Sequence, residues 1–483
     1  MSYRKALTRR AFLNRVSRVS LGATLAVNSM GFFGLVNAPK VLSSSHHDFR
    51  ALVLVFLEGG NDSFNMIVPS GSGSMRAEYD RGRRFLALPS EQLQLLNLKD
   101  AASLYDGSSS SDFGLHPACQ NLAGMFNSGE MSVICNVGNL IVPTNSQQFS
   151  DAAVKLPPRL FSHADQQRQF QSEPTNPFQY GWGGRLAEML SDYNTDVSLS
   201  PLISVSGLNS FQVSRDSLVN PYTMGTNGVV SLAAFNGDRK ALVEAGMESV
   251  NGSSHLMAQK YQDVFQSARR AETIVSSTFA RAEASGVDYE GIFNAAGLSG
   301  TRVSRQLKTV AKMIGGRPSE SNRRPVYFVK MNGFDTHQNM LADHATLMAE
   351  LDAALGAFRN VLKQQGDFDQ VLTYVGSEFG RTFTPNGDDE GSGTDHGWGG
   401  HALAMGGMIK GSRFFGTYPT LDLNNPLDPG RGRWIPTTSN SQCGASIAHW
   451  MGVPQSDVGK IFPSLANFSS PFEVNSNLDF IRL

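Results

Sequence analysis

Ala51-Leu52-Val53-Leu54-Val55-Phe56-Leu57 is followed at once by Glu58-Gly59-Gly60-Asn61-Asp62-Ser63-Phe64-Asn65. Seven apolar residues without alternation, stopped by a glycine pair, predict a strand covered on both faces, as inner strands of parallel sheets are. Working outward, a helix near 116–128 leads into a second apolar run at 131–137, and further runs lie at 325–331 and 369–376. Between the last two, Leu341, His344, Met348, Leu351, Leu355, Phe358 and Leu362 recur at three- and four-residue steps within 337–364. That spacing predicts one buried helical stripe, and strand–helix–strand predicts a right-handed crossover. The expected class is therefore α/β, a mostly parallel sheet flanked by helices. A helical insertion is expected at about 186–310, with β-like pieces such as Leu202 to Val205. Gly107 to Asp112 and Pro385 to Thr394 read as loops, and the chain beyond Trp450 as irregular.

The composition agrees with a folded enzyme-sized protein. Of 483 residues, 40% are hydrophobic and 17% charged, enough for a large core and against wholesale disorder. The 48 glycines and 21 prolines follow no period, which excludes collagen-like and repeat arrays. Charge is unevenly placed. Residues 1–38 hold six basic side chains and no acidic one; without them 35 basic face 42 acidic side chains, a balance of −7. An acidic body argues against a nucleic-acid partner, whose phosphates need Lys and Arg. Thr8-Arg9-Arg10-Ala11-Phe12-Leu13 before the weakly apolar Val19 to Val36 reads as a twin-arginine export signal, with cleavage expected after Ala38. The expected products are a signal peptide, 1–38, handled by the twin-arginine translocation machinery, and a single α/β domain, 39–483, periplasmic or otherwise exported, without a stable membrane span. Cys119, Cys135 and Cys443 are too few for a disulfide framework and are expected buried, with a Cys119–Cys135 bridge as the alternative.

In open α/β sheets, ligands gather beyond the carboxyl ends of the strands. After the first strand, Asp62 is either a hard oxygen ligand or the cap of the next helix. After 325–331, Asp335 and His337, one residue apart, can meet one divalent ion such as zinc, manganese or iron; Asp335 or Thr336 could instead cap the long helix. His344 lies on the apolar stripe, as a core histidine or a supporting one. After 369–376, Glu378 and Arg381 put a carboxylate and a guanidinium at the sheet's rim, where Arg381 could clamp a tetrahedral anion or pair with an acid. Asp395-His396-Gly397-Trp398-Gly399-Gly400-His401 concentrates imidazoles and a carboxylate among glycines, a functional pattern. Phe161-Ser162-His163-Ala164-Asp165 offers Ser162 as a nucleophile at a helix start or as an N-cap, with His163 and Asp165 as ligands or acid–base groups. His116, His255 and His449 have no carboxylate nearby and read as structural.

Taken together, the export signal, the strand ending in Gly-Gly-Asn-Asp, the Ser-His segment, Phe-Asp-Thr-His, Ser-Glu-Phe-Gly-Arg and Asp-His-Gly-Trp-Gly-Gly resemble the exported bacterial proteins called domain of unknown function 1501, over nearly the whole mature chain. That family is grouped with the alkaline phosphatase superfamily of phosphatases, sulfatases and cofactor-independent phosphoglycerate mutases. The resemblance implies an alkaline phosphatase-like fold and a two-metal plan. By position, Asp62, Asp335, His337, Glu378 and His396 would be the metal ligands, Ser162 the nucleophile and Arg381 the group that offsets charge in the transition state. Asn61, His163, His344, Asp395 and His401 would support them. The implied cofactor is a divalent metal, zinc or manganese, with calcium as a further option. The implied activity is hydrolysis of an anionic phosphate or sulfate ester; the alternative is a non-catalytic envelope protein binding a metal or a glycan. Two departures favour the alternative: Asp335 and His337 stand closer than the usual Asp-x-x-x-His, and Phe379 occupies the place of an imidazole.

Overall fold

Strand β1 (Ala51–Glu58) is buried along all but its last residue, and its alternate side chains enter two separate cores. Val53, Val55 and Leu57 face one, Leu52, Leu54 and Phe56 the other. This is what an unbroken apolar run requires, because burying each such side chain contributes about 1.5–3 kcal/mol only if both faces are covered. The computed structural model describes residues 49–175, 180–194, 199–215, 219–226, 228, 236–250, 255–318, 323–423, 425–473 and 476–483. The expected export signal and its cleavage point lie outside them.

The remaining strands of the main sheet are β2 (Met131–Gly138), β3 (Leu202–Ser204), β4 (Tyr222–Thr223), β5 (Val326–Asn332), β6 (Val371–Ser377), β7 (Gly400–Met405), β8 (Phe414–Gly416) and β9 (Thr438–Ser439). They run in the order β8-β2-β7-β6-β1-β5-β3-β4, with β9 also on β2. β1 is parallel to both β5 and β6; the antiparallel pairs are β6 with β7 and β7 with β2. Because β7 runs backwards, its first residues lie at the same rim as the last residues of β1, β5 and β6. The connection from β5 to β6 steps across β1 through a helix, as the sequence predicted.

Nine helices matter below: α1 (Ser74–Arg83), α2 (Gln120–Asn127), α3 (His163–Gln171), α4 (Trp182–Met189), α5 (Leu256–Ala284), α6 (Tyr289–Ala295), α7 (Arg302–Gly315), α8 (Met340–Gln365) and α9 (Asn440–Met451). α7 and α8 cover the Val53 face with Leu307, Val310, Leu351, Leu355 and Phe358; α4 and α9 cover the other with Leu186, Ile447 and Trp450. α2 has no cap of its own. Asp352 of α8 supplies one, accepting the Asn121 and Leu122 amides at 3.1 and 2.8 Å.

Several expectations change. α8 begins at Met340, not 337, because Asn339 adopts a left-handed backbone (φ 49°) and leaves Asp335 to His337 in a turn. The middle segment is helical as predicted, but β3 joins the main sheet beside β5. Gly107 to Asp112 includes one strand of a small hairpin, Ala102–Ser103 with Ser109–Ser110. The chain beyond Trp450 buries Ile461, Phe462, Phe480 and Ile481 in the second core. All three cysteines are free and buried, so the bridge does not form. Among the described residues, no helix is long and apolar enough to cross a membrane.

Three core imidazoles set an acid limit on stability. Burial pushes His116, His344 and His401 down to about 3, and the His344 charge adds to the effect on His116. Between about 6.5, the unfolded value, and about 3, the unfolded chain binds protons that the folded chain refuses, so stability falls with pH at about 1.4 kcal/mol per pH unit for each imidazole. Urea titrations from pH 7 to pH 4 will show this slope, and His401→Gln will flatten it. An unchanged slope would refute the assignment.

Candidate metal centre

The site is assembled by close approach of backbone at the carboxyl end of β1. Gly59 has φ +123°, and a Cβ there would lie 2.4 Å from the Asp335 amide nitrogen. At Gly60 (φ +83°) a Cβ would lie 2.3 Å from the Phe379 ring. Only glycine accepts both the left-handed backbone and the missing space. The Gly59 amide donates to Glu378 Oε1 at 2.9 Å, and its carbonyl accepts from Arg381 Nη1 at 3.2 Å. The turns after β1, β5 and β6 are thereby locked together.

Above this turn three imidazoles converge. His396 Nε2 lies 3.0 Å from His163 Nε2 and 3.1 Å from His337 Nε2. Asp335 completes the group, 3.3 Å from His163 Nε2, 3.1 Å from His337 Nε2 and 3.2 Å from His396 Nε2. Each ring is held from behind at Nδ1: His163 by Glu378 Oε1 at 3.0 Å, His337 by Asp395 Oδ1 at 3.1 Å, His396 by the Phe161 carbonyl at 2.7 Å. A carbonyl only accepts, so His396 carries its proton on Nδ1, and carboxylates hold the other two rings in the same tautomer. Neutral rings so protonated leave the Nε2 lone pairs free; those of His163 and His396, with the Asp335 carboxylate, lie close enough together to hold one metal ion, and His337 Nε2 flanks them beside His396 and Asp335.

The surrounding charges sharpen this. The Glu378 hydrogen bond raises the His163 pKa against the effect of its burial, while burial lowers that of His396. Burial alone would raise Asp335, but the Arg381 guanidinium, with His163 and His337, overrides it and holds the carboxyl below the usual range. Arg381 Nη1 donates to Asp335 Oδ1 at 2.7 Å, and its side chain is fully buried. Arg431 Nη1 donates to Asp395 Oδ2 at 2.5 Å.

Do these residues fit a metal? With zinc–nitrogen bonds of about 2.0–2.1 Å, ligand atoms of a tetrahedron stand roughly 3.3–3.4 Å apart. The separations among His163 Nε2, His396 Nε2 and the Asp335 carboxylate, 3.0–3.3 Å, come close to that figure. Three imidazoles and a carboxylate suit zinc or manganese; calcium, which takes six to eight oxygens, does not suit this donor set. His337 and Asp335 keep 42% and 45% of their side-chain surface exposed, so one side of the cluster faces solvent.

The expected residues divide into those the fold brings together and those it does not. Asp335, His337 and His396 come together, and His163, read from its segment as a ligand or acid–base group and by the resemblance as a supporting one, joins them. Asp62 does not: it is buried in an ion pair with Arg83 at 2.7 Å and caps the short helix Ser63–Met66. Glu378 orients His163 and accepts from Gly59 and Gln167 rather than facing the open point. Arg381 grips Asp335, which takes it away from an anion clamp. Ser162 occupies the N-cap of α3, yet its Oγ donates to Asp165 Oδ2 at 2.7 Å instead of accepting from the helix. Asp395 supports His337. Asn61 Oδ1 accepts from His344 Nε2 at 3.1 Å, both buried, and His401 lies in the core between Phe64 and Tyr418. Neither Asp335 nor Thr336 caps α8. The sequence reading missed Arg83, the Phe161 carbonyl and Arg431; none carries a local motif.

The family DUF1501, described as a protein of unknown function, matches residues 50–444. Curated proteins give no match. Similar solved structures include the PsFucS1 sulfatase from Pseudoalteromonas sp., at 12% identity over 90% of this chain and 72% of that one, with TM-score 0.34. The lipoteichoic acid synthase LtaP from Listeria monocytogenes is 9% identical over 81% and 76%, with TM-score 0.31. An alkaline phosphatase from the Antarctic bacterium TAB5 is 12% identical over 78% and 96%, with TM-score 0.21.

Glu378 and Asp62 should behave oppositely. Glu378→Gln, which weakens the hold on His163, is expected to lower zinc affinity by about 10–100-fold in a metal titration. Asp62→Asn should leave that affinity unchanged but cost about 3–5 kcal/mol of stability, because Arg83 stays buried without its partner. Equal effects on metal binding would refute the division.

Proposed function

We propose that this chain, which belongs to the DUF1501 family, is an exported hydrolase of phosphate or sulfate esters that uses one divalent metal, zinc or manganese, held by His163, His337, His396 and Asp335. The observation that carries the reading is the meeting of His163 Nε2, His396 Nε2 and the Asp335 carboxylate, with His337 Nε2 beside them and all three Nδ1 atoms engaged. Lone pairs about 3 Å apart, His163 against His396 and His396 against His337, repel unless a cation stands between them, and among the described residues the Arg381 guanidinium reaches this group at Asp335.

A metal bound there would supply a Lewis acid for the ester oxygen. The chain's own groups do the rest. Arg381 fixes the Asp335 carboxylate, and Glu378, Asp395 and the Phe161 carbonyl fix the rings. Arg433, whose Nε donates to the His396 carbonyl at 3.3 Å and whose guanidinium lies 5.2 Å from the Phe161 ring centre, offers positive charge at the mouth in place of Arg381. Ser162 is the nucleophile in this reading. Asp165 already accepts its hydrogen bond and is placed to take the proton. Export through the twin-arginine pathway rests on Arg9 and Arg10.

A second reading, a non-catalytic metal- or glycan-binding envelope protein, draws on the loss of the second metal set, since Asp62 is held by Arg83 and Phe379 stands where an imidazole was expected. One experiment separates the two. Protein purified without chelator is analysed for metal and assayed on nitrophenyl phosphate, bis(nitrophenyl) phosphate and nitrophenyl sulfate. The expected result is about one zinc or manganese per chain and turnover of one ester class. His337→Ala and His396→Ala should lose both, and Ser162→Ala should lose turnover alone. Metal without turnover selects the binding protein. If both histidine variants leave metal content unchanged, the centre is misassigned.

A further inference from the structure

Away from the imidazole cluster, a cavity of about 700 Å³ opens between the end of β3, the turn after β4, and helices α5 and α7. Its volume is that of a small-molecule site. Val205, Met224 and Phe265 give it apolar walls, while Arg302 and Arg305 stand on its rim. Arg269, also in the wall, is answered by Glu272 within the same wall. Arg302 and Arg305 make no ion pair among the described residues.

Their position is unfavourable for the helix itself. Both sit at the start of α7, whose first turn carries no acid and whose dipole disfavours cations there. Local rules broken without a structural gain mark functional positions. The excess positive charge also stands out where residues 39–483 carry a formal balance of −7. A second feature joins it: Leu256, Met257, Tyr261 and Val264, on the α5 turns before Phe265, are between 56% and 78% exposed. An apolar strip thus leads along α5 toward an apolar chamber with a cationic rim.

We propose that this cavity is a binding site for a small anionic amphiphile, its carboxylate, sulfate or phosphate head on Arg302 and Arg305 and its apolar body against Val205, Met224 and Phe265. The head alone would be held only by exposed arginines, and the apolar walls alone would not select charge; the combination requires both in one molecule. The site does not depend on the metal centre.

The test uses the full chain with 1-anilinonaphthalene-8-sulfonate as fluorescent probe and decanoate as competitor below its micelle concentration. Saturable one-site binding of the probe, displaced by decanoate but not by inorganic phosphate or decyltrimethylammonium, is expected. Arg302→Glu with Arg305→Glu should weaken decanoate at least tenfold. Ala268→Trp, at an exposed helix position that lines the cavity, should block the probe without disturbing the fold, checked by an unchanged melting temperature. Displacement by phosphate or by the cationic amphiphile, or binding unaffected by both variants, would overturn the proposal.

Discussion

Gly59 ties together the turns after β5 and β6, which bring Asp335, Glu378 and Arg381 to the metal centre. Its amide holds Glu378, its carbonyl holds Arg381, and its missing Cβ is the space occupied by the Asp335 amide. A backbone pair can approach this closely only where no side chain intervenes, so the position of Asp335 in the cluster is set by the end of one strand. The strand is immobilised in turn by burial on both faces. Packing is therefore transmitted to the site through the Gly59 main chain, against the Asp335 amide and onto the buried Glu378 and Arg381 side chains.

The second constraint is charge burial. Arg83 and Arg381 are both fully buried, and each takes a carboxylate that would otherwise be available: Asp62 and Asp335 respectively. The outcomes differ because of exposure. Asp62 is as buried as its partner, and the pair is closed; Asp335 keeps 45% of its side-chain surface and presents its second oxygen to His163. Thr394 links the two systems, with Oγ1 3.5 Å from Asp62 Oδ2 and 3.3 Å from Arg381 Nε. One polar network thus holds the base of the site, and it uses the very group that a two-metal plan would have used as a ligand.

Much of this was legible in the sequence, and the failures have a common cause. β1, β2, β5 and β6 followed from continuous apolar runs, and the buried face of α8 from its spacing, because both signals are local. The rim positions of Asp335, His337, Glu378, Arg381 and His396 followed from the rule about strand ends. What spacing could not show is which acid meets which base across the chain. Arg83 closes α1, a mostly polar helix that reads as solvent-facing, yet it is buried against Asp62. His163 was overshadowed by its neighbour Ser162, whose place at a helix start suggested the chemistry. The start of α8 was misplaced by three residues because a left-handed Asn339 leaves no pattern in hydrophobicity.

The turn before α3 shows why these contacts must be considered together. Phe161 has φ 70°, a region costly for a bulky side chain, on the order of 1–3 kcal/mol. That backbone turns its carbonyl onto His396 Nδ1 while the next two residues deliver Ser162 to Asp165 and His163 to Glu378. A relaxed, extended Phe161 would redirect the carbonyl, and His396 would lose the acceptor that fixes its tautomer. The strain is offset by the contacts it permits: the His396 hydrogen bond at 2.7 Å and the packing of the Arg433 guanidinium over the ring. Three consecutive residues therefore orient one imidazole, engage one hydroxyl and provide another imidazole, and the unfavourable backbone angle is what allows all three at once.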